Sequence, residues 1–347
     1  MGVPPHQGAR LLIGIFLALW AGLSAAQAAI PTYNVTVTTA PNFGNVVSAY
    51  TGSTIYTVSP VDGSTTRSGS AVRLSTGDTR AKITVTCVLS VGEDANDCAT
   101  NRPLIFITAG ATVNRVGPLN NFTVSLITDT YDHNPTFGNP INFALQPITE
   151  HGGTSAQFYL GFDFTVLGND SVKNTGVSTA AFSFETCASN GGVCLSGATH
   201  KFFSGSAAAT VFRPILMSNP QVLNFGRIIR PKTGSTGSVT LDPASGVRTA
   251  ANGASFVSTP SATAAVFGVT GEGGQVFSIN IGALVMTGPG GAVVTPTLTS
   301  TDTGASLSSS LGSGGSFSFK VGGTVPLSST TPDGAYSGSY SVLVQYN

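Results

Sequence analysis

One set of short motifs occurs twice in this sequence, in the same order, and this internal repeat constrains the fold more than any other feature. NFGNVVSAYTGST at 42–54 resembles NFGRIIRPKTGST at 224–236. Four further pairs follow: SPVDG (59–63) with DPASG (242–246), AKITVT (81–86) with AVFGVT (265–270), FSFE (182–185) with FSFK (317–320), and SGSAAATVF (204–212) with SGSYSVLVQ (337–345). The repeat predicts two related domains, at 29–213 and 214–347.

Both domains favour β-strands. Short runs such as TYNVTVTT, AKITVTC and QVFSINI are rich in β-branched and aromatic residues, and Gly, Pro, Asn and Asp separate them. No window has the period of an amphipathic helix. The pattern predicts an all-β protein with two tandem immunoglobulin-like β-sandwiches, the first enlarged between residues 87 and 180.

The first 28 residues are predicted to be a secretory signal peptide. Arg10 precedes the apolar run LLIGIFLALWAGL at 11–23, and Ala26-Gln27-Ala28 forms a small-residue cleavage site. A membrane anchor is the alternative, but a bilayer-spanning helix needs about 20 apolar residues. We therefore expect export through the Sec route, to the periplasm, the outer cell surface or the medium.

The mature chain is nearly neutral. Removing residues 1–28 removes Arg10, which leaves 14 basic residues against 15 acidic ones. Charged residues make up 9% of the sequence, against about 25% in typical globular domains. Nucleic-acid binding requires clustered Lys and Arg, so nucleic acid is not a predicted partner.

The four cysteines, Cys87, Cys98, Cys187 and Cys194, all lie in the first domain. Export favours disulfides, and four cysteines allow three pairings. We predict Cys87–Cys98 and Cys187–Cys194, because each pair is close in sequence. Free buried thiols are the alternative. Metal binding is disfavoured because neither pair has C-x-x-C spacing.

The sequence contains no G-x-S-x-G, H-E-x-x-H or helix-opening G-x-G-x-x-G motif. His133, His151 and His200 are predicted to be solvated loop residues, although a site using the first two remains an alternative. Asp129 and Asp132 could act as paired carboxylates on a glycosidic bond, but such pairs are common in turns. We predict that the protein is not an enzyme and has no cofactor.

The acidic loop GEDAND offers the oxygens of Glu93, Asp94, Asn96 and Asp97 to a cation such as Ca²⁺. It lacks the spacing and the glycine of an EF-hand loop. A hydrated loop tip between Cys87 and Cys98 is the preferred interpretation, and no metal site is predicted.

The C-terminal run GAYSGSYSVLVQYN, residues 334–347, is predicted to be an ordered strand. Its apolar residues alternate with mostly polar ones, with Leu343 as the exception. A period of two is typical of a half-buried strand, and a chain end is ordered when it is tied into a sheet.

The second domain resembles the secreted bacterial domain-of-unknown-function family 4402. The similarity lies in NFG…TGS…DP…G, a VTG turn, FKVGGT and the C-terminal PDGAYSGSYSVLVQYN. It covers about 214–347, and the internal repeat extends it to 29–213 as a diverged copy. The family implies surface location and a β-fold but no reaction.

The C-terminal strand also resembles that of fimbrial subunits assembled by the chaperone–usher route and of spore-coat-U-like proteins. In those subunits the terminal strand has an aromatic residue next to last and a Gly fourteen residues from the end, as Tyr346 and Gly334 are here. The resemblance implies a pilin-like sandwich. The assembly strand that it assigns comprises Gly334, Tyr336, Tyr340, Val342, Val344 and Tyr346.

The fimbrial resemblance implies assembly by strand addition to an open sheet edge, between copies of this chain or with other surface subunits. The resemblance also implies a periplasmic chaperone and an outer-membrane usher as assembly partners. A candidate donor is the mature N-terminus, through Ile30, Tyr33, Val35 and Val37. The preferred alternative is that 33–39 is the first strand of its own domain.

Together these features predict an exported, non-catalytic cell-surface protein with a structural or adhesive role, as a fimbria-like or surface-layer component. The alternatives are a secreted carbohydrate-binding module with a glycan partner, or an extracellular hydrolase.

Overall fold

A computed structural model describes Gly2 and residues 30–347, except 76, 78, 94, 127–140, 145–153 and 191. Apart from Gly2, the predicted signal peptide lies outside the described residues. Strands dominate, and the prediction of an all-β fold is confirmed. In the described part of the chain the one α-helix is α1 (Ala95–Thr100), and no helix there is long and apolar enough to span a bilayer.

The strands before residue 213, which we call the first half, form two sheets. In chain order they are β1 (Thr32–Thr39), β2 (Asn42–Val47), β3 (Thr54–Val58), β4 (Thr65–Ser68), β5 (Val72–Arg73), β6 (Ala81–Val88), β7 (Arg102–Val113), β8 (Asn120–Leu126), β9 (Ile141–Ala144), β10 (Ser155–Val166), β11 (Gly176–Asn190), β12 (Val193–Cys194) and β13 (Lys201–Phe212). One sheet has the order β1-β6-β10-β3-β4, with β8 also on β10. The other has the order β5-β2-β13-β11-β7-β9, with β12 on β11.

The second half, residues 214–347, forms one large sheet and three small ones. Its strands are β14 (Leu216–Gln221), β15 (Ile228–Ile229), β16 (Thr236–Leu241), β17 (Arg248–Ala251), β18 (Ser255–Phe256), β19 (Ala265–Glu272), β20 (Val276–Ile281), β21 (Met286–Thr287), β22 (Val293–Val294), β23 (Thr297–Ser300), β24 (Gly304–Ser306), β25 (Gly314–Ser328) and β26 (Val342–Tyr346). The largest sheet has the order β14-β19-β25-β16-β17, with β23 also on β25. The others are β24-β20-β26, β15-β18 and β21-β22. A 3₁₀ helix spans Pro289–Gly291.

The core of the first half lies between its two sheets. Alternate residues of β6 point inward, so Ala81, Ile83 and Val85 are fully buried while the residues between them are half-buried. The facing sheet contributes Phe182 and Phe184, whose rings meet edge to face at 5.5 Å. The second half has two smaller apolar clusters, one centred on Phe267 and Phe319 and the other on Phe225 and Leu284.

Strand order relates the two halves almost one to one. The sheet β1-β6-β10-β3-β4 with β8 corresponds to β14-β19-β25-β16-β17 with β23. The pair β5-β2 corresponds to β18-β15, and the path β11-β7-β9 corresponds to β26-β20-β24. This correspondence follows chain order throughout, which supports the proposal of two related domains. It leaves β12 and β13 of the first half, and β21 and β22 of the second, without a counterpart.

The last two motif pairs of the repeat do not match in structure. FSFE lies on β11, whereas FSFK lies on β25, the counterpart of β10. SGSAAATVF lies on β13, whereas SGSYSVLVQ runs into β26, the counterpart of β11. Each match is displaced by one strand, because the second half lacks the final strand of the first. Short strands rich in Gly and Ser resemble one another whatever their place in a sheet.

Candidate functional site

Strand β13, which has no counterpart, fills a position between two others. In the first half β13 pairs parallel to β2 through Ala208–Phe212, and antiparallel to β11 along most of its length. In the second half the strands that correspond to β2 and β11 are β15 and β26, and they belong to different sheets. A gap therefore separates β15 from β26 where the first half has β13.

A groove of about 750 Å³ lies at this gap. One bank consists of residues 223–230, which contain β15, and the other of residues 331–338 and Tyr340, which lead into β26. The floor is apolar and is formed by Leu284, Met286, Val294, Val325 and Leu327. The gap is thus an apolar channel between residues 223–230 and the segment that leads into β26.

The groove opens directly onto a hydrophobic core. Leu284 and Val325 on its floor are 4% and 2% exposed, and they belong to the same cluster as Phe225 on the bank. Tyr336 and Tyr340 pack against this cluster from the other bank but remain half-buried. Burial raises the pKa of Tyr340 above its ordinary value. An apolar side chain inserted between the banks would therefore contact core residues.

The structure places the predicted assembly residues along this groove and beside it. Gly334, Tyr336 and Tyr340 line it, while Val342, Val344 and Tyr346 lie on β26. The side chains of Tyr336, Tyr340, Val342, Val344 and Tyr346 are all half-buried, and Leu343 between them is 57% exposed. The inward face is the apolar face expected from the sequence.

Two glycines allow the C-terminal bank to lie close to its neighbours. Gly334 has a φ of 143°, and a Cβ there would lie 2.3 Å from Pro289 Cγ. A Cβ on Gly338 would lie 2.0 Å from the carbonyl oxygen of Val285. A side chain at either position would push the bank away from the sheet.

The free edge of β26 faces the gap. Ser341 accepts a hydrogen bond from the N–H of Gly282, and Asn347 donates to the carbonyl oxygen of Val276, both on the β20 side. In an antiparallel ladder alternate residues bond to opposite sides, so the backbone groups of Val342 and Val344 point away from β20. As an edge strand, β26 presents these groups to an incoming strand.

An ion pair joins the two banks at one end of the groove. Arg230 donates to the carbonyl oxygen of Thr331 at 2.8 Å and pairs with the carboxylate of Asp333 at 3.3 Å. The Asp333 side chain is 82% exposed, and exposed pairs of this kind stabilise by about 0–1 kcal/mol. This ion pair can therefore break at little cost in free energy.

Tyr346 fixes the other end of β26 to the first half. Its hydroxyl donates to the carbonyl oxygen of Arg213 at 3.0 Å and accepts from the N–H of Glu272 at 2.7 Å. Its ring lies 5.8 Å from that of Phe212, the last residue of β13. Burial, with a smaller contribution from the Glu272 carboxylate, raises the pKa of Tyr346 to about 12.

Glu272 is the buried acid of this junction and is fully shielded from solvent. Its carboxylate accepts hydrogen bonds from the backbone N–H groups of Arg213 and Gly312, and Nε of Arg213 lies 3.6 Å away. Sequence reasoning missed Glu272 and Tyr346 as partners of Arg213. The sequence identified only Arg213-Pro214, as the boundary between the two predicted domains. It gave no sign of the contacts because the three residues are far apart in the chain.

Both cysteine pairs form disulfides in the structure. Cys87–Cys98 joins the end of β6 to α1, and Cys187–Cys194 closes the β11–β12 hairpin. A ring nitrogen of His200 and the two sulfurs of the hairpin lie within 4.8 Å of one another. Because these sulfurs are bonded together, they are not available as thiolate ligands.

The candidate donor segment lies in its own sheet. Tyr33 and Val35 are buried in the core of the first half, Ile30 and Val37 pack against that core, and β1 pairs with β6. This placement corresponds to the alternative in which 33–39 is the first strand of its own domain.

The candidate chemical residues are mostly outside the described part of the chain. His133, His151, Asp129, Asp132 and Asp94 all fall there. His200 contacts the carboxylate of Glu185, and Glu93 accepts a hydrogen bond from the N–H of Ser90 within its own loop.

Comparison with known proteins gives one family match. The model of the family described as "Domain of unknown function (DUF4402)" matches residues 215–346. No curated protein sequence matches the chain.

Two solved structures are similar over most of the chain. One comes from the CsuC–CsuE chaperone–tip adhesion subunit pre-assembly complex of archaic chaperone–usher Csu pili of Acinetobacter baumannii, with a TM-score of 0.26 and 11% identity, covering 90% of this chain and 100% of that one. The other is a chaperone–tip adhesin complex of CFA/I fimbriae biogenesis, with a TM-score of 0.24 and 10% identity, covering 90% and 98%. At these scores neither structure informs the function of this chain. The family resemblance inferred from the motifs is confirmed for the second half, whose residues 215–346 match DUF4402.

Proposed function

We propose that the protein is an exported, non-catalytic cell-surface component, structural or adhesive, whose second half accepts a β-strand from another protein chain. The observation that carries this proposal is the gap between β15 and β26. The first half fills the same position with its own strand β13. The two disulfides favour an oxidising compartment outside the cytosol.

The first half indicates what the incoming strand looks like. The inward residues Ala207, Ala209 and Val211 of β13 are 0%, 2% and 0% exposed. An incoming strand in the same place runs parallel to β15 and antiparallel to β26, and presents apolar residues at every second position. Main-chain hydrogen bonds supply affinity, and the alternate side chains set the register.

Burial of apolar side chains in the groove would favour docking of the strand. Three apolar side chains contribute about 1.5–3 kcal/mol each, or roughly 5–9 kcal/mol before the cost of ordering the strand. The edge of β26 adds backbone hydrogen bonds. Such an edge, left open, is prone to nonspecific pairing, so the groove requires an occupant.

The proposed occupants are a second copy of this chain or another surface subunit in the finished assembly, and a periplasmic chaperone before it. An outer-membrane usher would deliver the subunit. The fimbrial resemblance of the C-terminal strand supports this order of partners. In this structure β1 (Thr32–Thr39) is paired with β6, so the donor is more simply a segment other than this one.

A synthetic peptide with the sequence of β13, residues 201–212, tests the proposal directly. Fluorescence anisotropy should show saturable binding of the labelled peptide to the full chain, and none for a scrambled peptide of the same composition. Ile228→Asp, which places a charge on a half-buried bank residue, should abolish binding. Val222→Asp is the matched control, because Val222 is 68% exposed. Equal binding of both peptides, or no effect of Ile228→Asp, would refute strand docking.

A further inference from the structure

A second surface with binding chemistry lies on the first half, on the outward face of the sheet that contains β13. Glu185 on β11 is directly opposite Phe106 on β7 and directly opposite Phe202 on β13. Residues opposite one another in antiparallel strands share a face. The three side chains therefore form a row, with a carboxylate between two rings on strands that lie about 10 Å apart.

Two members of the row, Glu185 and Phe202, are accessible, whereas Phe106 is half-buried and packs against Leu104 and Cys187. The Glu185 carboxylate is 2.6 Å from Nδ1 of His200, which fixes its position. Phe202 is 70% exposed, and the side chains of Glu185 and His200 are 37% and 44% exposed. The ring of Phe202 and the carboxylate of Glu185 can therefore both be reached by a ligand from solvent.

A row of hydroxyl groups lies beside the first row. Thr108, Ser183 and Ser204 occupy the next outward positions of the same three strands, and the hydroxyls of Thr108 and Ser183 are 2.7 Å apart. Both rows lie towards the end of β13 that is farthest from Arg213. The strand β13 has 12 residues from Lys201 to Phe212, and its two ends are about 36 Å apart. The surface is thus remote from the groove.

We propose that this surface binds a neutral sugar residue of a glycan. A phenyl ring packs against the apolar C–H face of a pyranose. The carboxylate accepts hydrogen bonds from the hydroxyl groups of the sugar, and the Ser and Thr hydroxyls can donate to them or accept from them. This pairing of one apolar face with several hydrogen-bonding groups matches the two rows.

The carboxylate of Glu185 favours a neutral sugar over an anionic sugar or a purely apolar partner. Glu185 repels an anionic sugar, and the nearby ammonium of Lys201 is turned away to Asn34 Oδ1 at 3.1 Å. A purely apolar partner would strip water from the Glu185 carboxylate without replacing its hydrogen bonds, which is unfavourable. Neither conflict arises with a neutral glycan.

A glycan array printed with neutral and sialylated oligosaccharides, probed with the full chain, tests this site. We expect binding to neutral glycans only. Phe202→Ala and Glu185→Gln should each weaken the best hit about tenfold or more, as loss of a central contact does. Phe202→Tyr should retain binding, and Val177→Ala, a 59% exposed residue on the same face, should leave it unchanged.

Four results would overturn the proposal. They are no neutral glycan above background, binding only to sialylated glycans, an equal loss for Val177→Ala, and a loss for Phe202→Ala that Glu185→Gln does not share. The last result would indicate adhesion to an apolar surface instead. Because Phe202 and Glu185 are on the surface, the melting temperatures of the variants should stay within a few degrees of wild type. The groove lies in the other half, so the β13 peptide should bind every variant normally.

Discussion

The two halves of the chain share a strand order and differ in how each one ends. In the first half, β13 lies between β2 and β11, and its inward residue Val211 is fully buried. In the second half the counterpart of β11 is β26, an edge strand whose inward residue Val344 is only half-buried. The presence or absence of one strand converts a complete sandwich into one with an apolar groove along its edge.

The halves also differ in what stabilises them. The first has both disulfides and one large continuous core. The second has two smaller apolar clusters and is joined to the first through Glu272, Arg213 and Tyr346. We therefore expect the second half, which we call the open half, to depend more on contacts outside its own sheets than the first half does.

Reduction of the disulfides should produce the largest difference in stability between the two halves. The bridges close loops of 11 and 7 residues, so each should contribute about 2–3 kcal/mol, and both together about 5 kcal/mol. We expect calorimetry in a reducing agent to lower the unfolding transition of the first half and leave that of the second unchanged. An equal fall in both transitions would mean that the halves unfold as one unit.

Removal of the buried Glu272 carboxylate should destabilise the second half rather than the first. Glu272→Ala leaves the N–H groups of Arg213 and Gly312 without their acceptor and the guanidinium of Arg213 without its partner. Loss of one member of a buried ion pair costs about 3–5 kcal/mol. Calorimetry should show this loss in the second half.

Asp333→Ala is the control for the junction variant, because it removes an exposed carboxylate from the same half. Its effect should be below about 1 kcal/mol. If Glu272→Ala were as mild as Asp333→Ala, the junction would not stabilise the open half.

A matched pair of valines measures the difference between the two final strands. Val211→Ala removes two methyl groups from a closed core, which should cost about 2–3 kcal/mol including the cavity. Val344→Ala should cost about 1 kcal/mol, because the edge strand leaves that side chain half-exposed. Urea titrations of the two variants check the ratio, and similar costs would contradict the open edge.

Binding of the β13 peptide in the groove provides a further test of this comparison between the two valines. With the β13 peptide bound, Val344 becomes covered, so the cost of Val344→Ala should rise towards that of Val211→Ala. The cost of Val211→Ala should not change, since its own strand already occupies the corresponding position.

Much of the fold follows from local pattern. Alternation of apolar residues predicted strands such as β1 and β6, and the inward face of the C-terminal strand is the one that its tyrosines and valines predicted. Proximity in sequence suggested the cysteine pairs that the structure contains. These features depend on residues that are close together in the chain.

The groove and the junction did not follow from the sequence. A missing strand leaves no local signal, and the repeat concealed it because Ser- and Gly-rich segments of β13 and the C-terminal run matched out of register. Glu272 and Tyr346 meet Arg213 across 59 and 133 residues. Pairing at such separations depends on the packing of whole sheets, which single-residue patterns do not encode.

Tyr346→Phe is the mildest test of the link between the halves, and pH provides its signature. The variant loses two hydrogen bonds, to Arg213 and from Glu272, and should lose about 1–2 kcal/mol of stability at neutral pH.

In the folded wild type the pKa of Tyr346 is raised from 10.0 to about 12. A raised pKa favours the neutral phenol, so its contribution is complete below pH 10 and is lost as the pH rises towards 12. The deficit of Tyr346→Phe should therefore shrink over this range, because the phenylalanine variant has no such loss. Tyr50→Phe, at a position 62% exposed, is the control and should match wild type throughout. A deficit that stayed constant through the alkaline range would show that the pKa of the Tyr346 hydroxyl is not raised at the junction, and the absence of any deficit at neutral pH would show that the ring alone holds the second half there.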